Sequence, residues 1–386
     1  MAADVIDGLA IAAFATWVYL MIARGGFWLG AVNDGDQPAA PARWPTVAAV
    51  IPARDEAACI GDSMRSVLAQ HYPGSFSVIL VDDDSRDGTA EIARHAATSG
   101  DRPLTVVASG SLPAGWTGKL WALKQGIDAS RQVPDPPDYL LLTDADIMHA
   151  PDTVAWLAAR AEQDKLALVS LMAKLRCESL AESSHVPAFI FFFQMLYPFA
   201  WVNRAGAATA AAAGGCMLVC AEALRDAGGI ESIRDALIDD CALAARLKAQ
   251  GPIWLGLTER AHSIRPYPHW ADLRRMVTRS AYAQLRYSPL LLAGTTAGMA
   301  LTFLAAPWLT LFTGGLPQLL GLATWIMMAV AFQPTLRFYR LSPLWGAALP
   351  AIAFLYMLYT VDSAIQYVNG RGGAWKGRTQ ANVSAR

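Results

Sequence analysis

The chain has 386 residues, 54% hydrophobic and only 16% charged, with 31 basic and 32 acidic side chains for a net charge of −1. That balance leaves no electrostatic footprint for nucleic acid, and the apolar share, above the roughly 45–50% of soluble domains, excludes an ordinary soluble protein throughout. Five cysteines (Cys59, Cys177, Cys216, Cys220, Cys241) have no zinc spacing and form an odd set, which fits reduced thiols facing a cytosol.

Val5 to Ala23 is nearly all apolar, broken by Asp7 and followed by Arg24. About 20 such residues span a bilayer. A secretory signal carries its positive charge ahead of the apolar run. Here the charge follows it, which predicts an uncleaved anchor over residues 1–25 with its N-terminus outside. Residues 26–46, rich in Pro, Ala and Asp from Asp34 to Pro45, read as a linker.

From Val47 the pattern changes to short strands alternating with helices. Strands are predicted at Val47–Ile51, Phe76–Val81, Leu104–Val107 and Tyr139–Leu142. Helices are predicted at Ile60–Leu68, after Gly88-Thr89, and at Lys119–Ala129. Such alternation builds βαβ units and a largely parallel sheet, within an expected α/β domain of residues 47–288. Ligands of such sheets bind at the carboxyl ends of the strands.

Acidic residues stand at those ends. Asp55 and Glu56 follow the first strand, and Asp82, Asp83 and Asp84 the second. A carboxylate accepts hydrogen bonds from a ring N–H or a ribose hydroxyl, so these positions suit a nucleotide. Asp144 and Asp146 follow the fourth strand, and their hard oxygens suit Mg2+ or Mn2+ on a diphosphate. The cation would neutralise the leaving diphosphate as a sugar bond breaks. His149 reads as an ordinary surface histidine rather than a further ligand. Lys119 is a point charge suited to phosphate. Gly214 and Gly215 permit close approach of backbone to substrate. Asp239 and Asp240 open a helical stretch, where a carboxylate serves equally as a cap or as a general base.

The aromatic run Phe189 to Trp201 is too short to span a membrane. It fits a core helix or an interfacial segment that guides a lipid. Beyond it, Leu290–Leu311, Leu316–Phe332 and Leu344–Val361 supply two to three spans within residues 289–362. Arg274, Arg275, Arg279 and Arg286 precede the first, and Arg337 and Arg340 follow the second, which puts both groups inside. A third full span would carry the basic tail of residues 363–386 (Arg371, Lys376, Arg378) outside, against the charge rule. The last segment is then re-entrant or interfacial, or the count is off by one.

Taken in order, PARDE, VDDDSRDGT, GK, TDAD, GGC and DD-x2-L-x2-RL resemble the family-2 glycosyltransferases of the GT-A fold, from about Val47 to about Gly251. FFFQMLYPFAWVN, GGCMLV, AGGI and MVTRSAYAQLRYS are similar to the hopene-associated glycosyltransferases of hopanoid gene sets. The resemblance implies that Glu56 and Asp83 hold the nucleotide base and ribose. It puts Asp144 near ribose and metal, Asp146 on the metal, and Asp240 as the base of an inverting displacement. Three departures stand out. Asp84 replaces the glycine of the DDG motif, Asp239 stands before the base where the family often has Glu or Thr, and the Q/R-x-x-R-W element is absent in that form. Arg275, Arg279 and the stretch Gln284 to Tyr287 occupy its region, which argues for transfer of one sugar rather than polymerisation.

The expectation is a multi-pass protein of the inner membrane with its catalytic domain in the cytosol. It would be a hexosyl-type transferase that gives one sugar from a nucleotide-sugar donor, UDP-linked by default, to a lipid hydroxyl, with a hopanoid as candidate acceptor. Gly214, Gly215, Asp239, Arg275 and Arg279 would lie on the acceptor side. The rivals are a polyprenyl-phosphate sugar transferase and a nucleotide-binding membrane scaffold without chemistry.

Overall fold

The computed structural model describes residues 2–98, 102–132, 135–371, 374–375 and 378–379, so Lys376 and part of the expected basic tail lie outside the described residues. The chain divides into an α/β unit (32–176, 201–266 and the residues from 374) and a helical unit (1–31, 177–200 and 267–373).

The α/β unit is built on eight strands: β1 Val47–Ala53, β2 Phe76–Asp82, β3 Leu104–Ala108, β4 Tyr139–Thr143, β5 Ile147–His149, β6 Leu168–Lys174, β7 Cys216–Cys220 and β8 Ile253–Ser263. Their spatial order is β3-β2-β1-β4-β7-β6-β8-β5. The four strands anticipated from sequence are the parallel half, with β1 paired to β2 and β4, and β2 to β3. Every residue of β1 is buried, as helices covering both faces require. The other half is mixed. β7 runs antiparallel to β4 and β6, β8 is parallel to β6, and β5 is antiparallel to β8. The link between β4 and β5 is only Asp144–Ala145–Asp146. A parallel return needs a crossover of a dozen or more residues. The chain instead passes directly to the far edge of the sheet.

The helix Gly118–Ser130 packs on β1 and β2 through Gly126. A Cβ there would overlap Val50 Cγ1 outright and sit 2.8 Å from Val81 Cγ2. Alanine gains roughly 1 kcal/mol of helix propensity over glycine, but overpacking against side chains anchored in strands costs about 1–3 kcal/mol. Gly126→Ala is therefore expected to lower the unfolding temperature of the detergent-solubilised protein, and an unchanged or higher value would refute this packing argument.

Among the described residues, the helical unit contains four helices long and apolar enough to cross a membrane: Ala3–Ile22, Pro289–Phe312, Gly315–Phe338 and Trp345–Val368. The last is one continuous helix that runs past the sequence-predicted end at Val361. Asp362 is accommodated inside it because its Oδ2 accepts hydrogen bonds from Arg274 Nε at 2.9 Å and Gln366 Nε2 at 2.8 Å. The helix through Pro289 contains a π turn at Ala300–Leu304. Such a turn interrupts the i→i−4 ladder. Trp17 of the first helix donates from Nε1 to the Thr302 carbonyl at 2.6 Å. Trp17 is fully buried, with its ring edge-on to Phe303 at 5.8 Å.

The aromatic run is not one segment. A helix capped by Ser179 and Glu182 covers Leu180–Leu196, and a separate short helix covers Phe199–Val202. Phe191 is wholly buried, 5.3 Å from Phe27 and 5.2 Å from Phe332 between ring centres. Leu180 and Leu196 at the two ends are 68% and 50% exposed. The inner face of this helix is core, while its ends are apolar and uncovered within the helical unit.

Candidate active site

Because β2, β1 and β4 are parallel neighbours, the residues that follow them emerge along one rim of the sheet. Two linked groups of charges form there.

The first joins the ends of β1, β4 and β8. Arg265 donates from Nη2 to both oxygens of Glu56, at 2.7 and 2.6 Å, and from Nε to Asp146 Oδ2 at 3.0 Å. Ser263 Oγ donates to the same Asp146 oxygen at 2.8 Å, and Ile264 N to the Asp146 carbonyl at 3.0 Å. Asp146 Oδ1 has no hydrogen-bond partner among the described residues. The end of β8 thus grips Asp146 and leaves one carboxylate oxygen on offer.

The second group surrounds Lys119, in the first turn of the helix capped by Thr117. Its Nζ lies 3.0 Å from Asp144 Oδ1 and 3.1 Å from Asp239 Oδ2. Asp240, next along, accepts from Gly214 N at 3.0 Å on Oδ2 and from Cys241 N at 2.8 Å on Oδ1. A Cβ at Gly214 would stand in ordinary contact with Asp240 Oδ2 at 3.5 Å and press closely on Lys119 Nζ at 3.3 Å, so a side chain here would crowd the lysine.

The electrostatics follow from burial and crowding. Five carboxyl groups (Glu56, Asp144, Asp146, Asp239, Asp240) share two cations (Arg265, Lys119). Burial raises the Asp240 pKa, the like charge of Asp239 raises it further, and it reaches about 6 despite Lys119 and the two backbone donors. Asp144 is also raised, first by burial, with Lys119 pulling against this and Asp146 adding to it. For Lys119 burial opposes the charge, but Asp144 and Asp239 outweigh it and drive the pKa up, so it stays cationic.

Thr143 ties the groups together from below. Its hydroxyl donates to the Gly215 carbonyl at 2.7 Å and meets His149 Nε2 at 2.9 Å. Since the single hydroxyl proton goes to Gly215, His149 Nε2 must donate. His149 is only 5% exposed, and burial lowers its pKa to about 4. The expectation of a surface histidine is corrected: β5 pairs with β8 and carries this side chain into the interior. It is a neutral strut for the Gly214-Gly215 turn.

The remaining positions stand as follows. Asp83 is fully buried, accepts from Ser109 Oγ at 2.7 Å on Oδ1, and lies with Oδ2 3.7 Å from Arg54 Nη1. Asp55 stitches the first two strand ends together, donating from N to Ser85 Oγ at 3.0 Å and accepting from Arg86 N at 2.9 Å. The Asp84 side chain is 64% exposed. Arg275 and Arg279 belong to the helical unit, where Arg275 pairs with Asp272. Arg265, Ser263, Thr143 and the buried role of His149 were missed from sequence.

The donor set is compatible with a hard divalent cation. It consists of carboxylate oxygens, it carries more acid than base, and Asp146 Oδ1 is open. Among the described residues no three His, Cys, Asp or Glu side chains converge to hold an ion by themselves. A Mg2+-type ion commonly takes one or two carboxylates and completes its shell with phosphate and water.

Residues 48–228 match the model described as glycosyl transferase family 2. An N-acetylglucosaminyltransferase of Mesorhizobium japonicum is 31% identical over 152 residues, 39% of this chain and 33% of the relative. Glycosyltransferase AglE of Haloferax volcanii is 43% identical over 58 residues, 15% of this chain and 19% of the relative. The chain thus spans about a third and a fifth of the length of these curated relatives. Among solved structures, the mannosyltransferase PcManGT of Pyrobaculum calidifontis, in complex with GDP-Man and Mn2+, superposes with a TM-score of 0.54 at 20% identity, covering 94% of this chain and 99% of that one. That likeness concerns the fold, and it agrees with the α/β architecture and mixed sheet found here.

Proposed function

We propose, on the premise that residues 48–228 are a family 2 glycosyltransferase domain on a GT-A fold, that the protein transfers one sugar from a nucleotide-sugar donor to a lipid hydroxyl with inversion. The observation that carries this reading is the Asp240 carboxylate. It is fixed by two backbone N–H groups, raised to about 6, and set beside a lysine clamped between Asp144 and Asp239.

In this reading Asp240 accepts the proton of the acceptor hydroxyl as its oxygen attacks the anomeric carbon, and the bond from that carbon to the nucleoside diphosphate breaks. Lys119 holds a fixed positive charge beside the departing phosphates. The resemblance assigns Glu56 and Asp83 to the nucleoside; here they are held by Arg265 and Ser109 and would line that end of the site from behind, and Asp146 with Asp144 would hold Mg2+ or Mn2+. When bound, that ion supplies neutralisation of the diphosphate charge. The cation and a UDP- or GDP-linked donor are carried over from relatives as part of the proposal.

The four long apolar helices support a membrane-embedded acceptor. The basic residues Arg24, Arg274, Arg275, Arg279 and Arg286 support a cytosolic catalytic unit in an inner membrane. The hopanoid acceptor rests on the resemblance of the Phe189 segment and its neighbours. The test is incubation of the purified protein with radiolabelled UDP- and GDP-sugars, MnCl2, and either a hydroxylated hopanoid or a polyprenyl phosphate. Label is expected in an alkali-stable hopanoid product. Label only in polyprenyl phosphate would replace this reading by its runner-up, and binding without transfer or donor hydrolysis would leave a scaffold.

A further inference from the structure

We propose that Arg265 is a positioning residue that makes uptake of the divalent cation depend on the bound donor. The inference rests on the nucleotide-sugar reading of the site.

One guanidinium spans two acids that belong to different strand ends. Nε engages Asp146 and Nη2 engages both oxygens of Glu56. These acids are only 8% and 7% exposed, so each needs a counter-charge where it stands. A guanidinium supplies one that does not titrate and is weakly hydrated. Its planar fork also fixes direction: with Ser263 it fills Asp146 Oδ2 and leaves Oδ1 as the oxygen presented.

Even with Asp144, whose Oδ1 is paired to Lys119, beside Asp146 Oδ1, the protein offers far fewer than the roughly six oxygens that Mg2+ requires. Among the described residues no three His, Cys, Asp or Glu side chains converge to complete a shell. Glu56, tied to Asp146 through the same guanidinium, is occupied by Arg265 itself. The site as built is therefore a poor ligand for a free cation. Phosphate oxygens from the donor are what complete it, so cation and donor enter as one complex.

Removing the guanidinium changes this. Glu56 and the second oxygen of Asp146 are released together, and a cation becomes the best available counter-charge. Lysine at the same place keeps the charge but concentrates it at one point, and it reaches only one of the two acids.

The experiment measures Mn2+ binding by electron paramagnetic resonance on the full chain in detergent, with MnCl2 alone and with UDP or GDP added. The wild type is expected to bind Mn2+ about tenfold or more tightly once a nucleoside diphosphate is present. Arg265→Gln is expected to bind Mn2+ without nucleotide about tenfold more tightly than the wild type, with Arg265→Lys in between. Nucleotide-free affinities equal in wild type and Arg265→Gln would overturn the inference alone. Absence of Mn2+ binding to the wild type with either nucleotide would overturn it together with the cation reading of the site. Unfolding temperatures without ligand report whether each variant is folded. Should Arg265→Gln fail to fold, Arg265→Lys decides, and a nucleotide-free affinity equal to wild type would overturn the inference.

Discussion

Asp240→Asn is expected to lower kcat by about 10²–10⁴-fold, the contribution of a positioned general base, with the donor KM little changed. The substitution is nearly isosteric. It keeps one acceptor oxygen for Gly214 N or Cys241 N and loses the other bond, a local cost of about 1 kcal/mol. Fold and donor site should therefore survive, and the loss should fall on turnover. The pH profile gives an independent check. A protonated Asp240 cannot take a proton, so wild-type activity falls as pH drops through about 6, where the group is held by burial and by Asp239. The limb belongs to the Asp239–Asp240 pair rather than to either acid alone. Asp240→Asn should remove it. A variant that keeps wild-type turnover would mean that the acceptor arrives already ionised, as a phosphate does, and would move the assignment to the polyprenyl-phosphate reading.

Asp146→Ala is expected to uncouple donor binding from the cation. A ligand present at about 100 times its Kd stabilises a protein by roughly 2.7 kcal/mol. In the wild type that stabilisation should need Mg2+ or Mn2+, because Asp146 Oδ1 is the open oxygen of the DAD turn. In Asp146→Ala the melting temperature with donor should be the same with and without cation. The contacts of Ser263 and Arg265 to the carboxylate are lost as well, so Asp146→Asn, which keeps an acceptor for them, is the companion variant. Persistence of a cation effect on donor binding in both variants would show that the ion sits elsewhere.

The parallel half of the sheet was legible because its signals are local. Four apolar runs of four to six residues, the first three followed by helical spacing, came out as β1 to β4 within two residues at each end. The acids were legible for the same reason, since strand ends display them. What could not be read is pairwise and distant. Arg265 stands 119 positions from Asp146, and nothing near it in sequence marks it as the partner of two acids. The three-residue strand β5 is too short to show a period, so the burial of His149 follows only from its pairing with β8. The departure at Asp84 does have a backbone explanation. Its φ is 59°, in the left-handed region where glycine is free and aspartate is among the few side chains tolerated. The turn keeps its shape with either residue.

The hydrogen bond from Trp17 to Thr302 changes what the first helix is for. A generic hydrophobic leash of the same length would hold a protein at a bilayer equally well. Here it would remove the indole donor of the Thr302 carbonyl and the edge-on packing of Trp17 on Phe303. The N-terminal helix is thus a fitted component rather than an exchangeable tether. Chimeras that graft a foreign leader onto the remaining chain should inherit a packing defect within the helical unit, far in sequence from the graft.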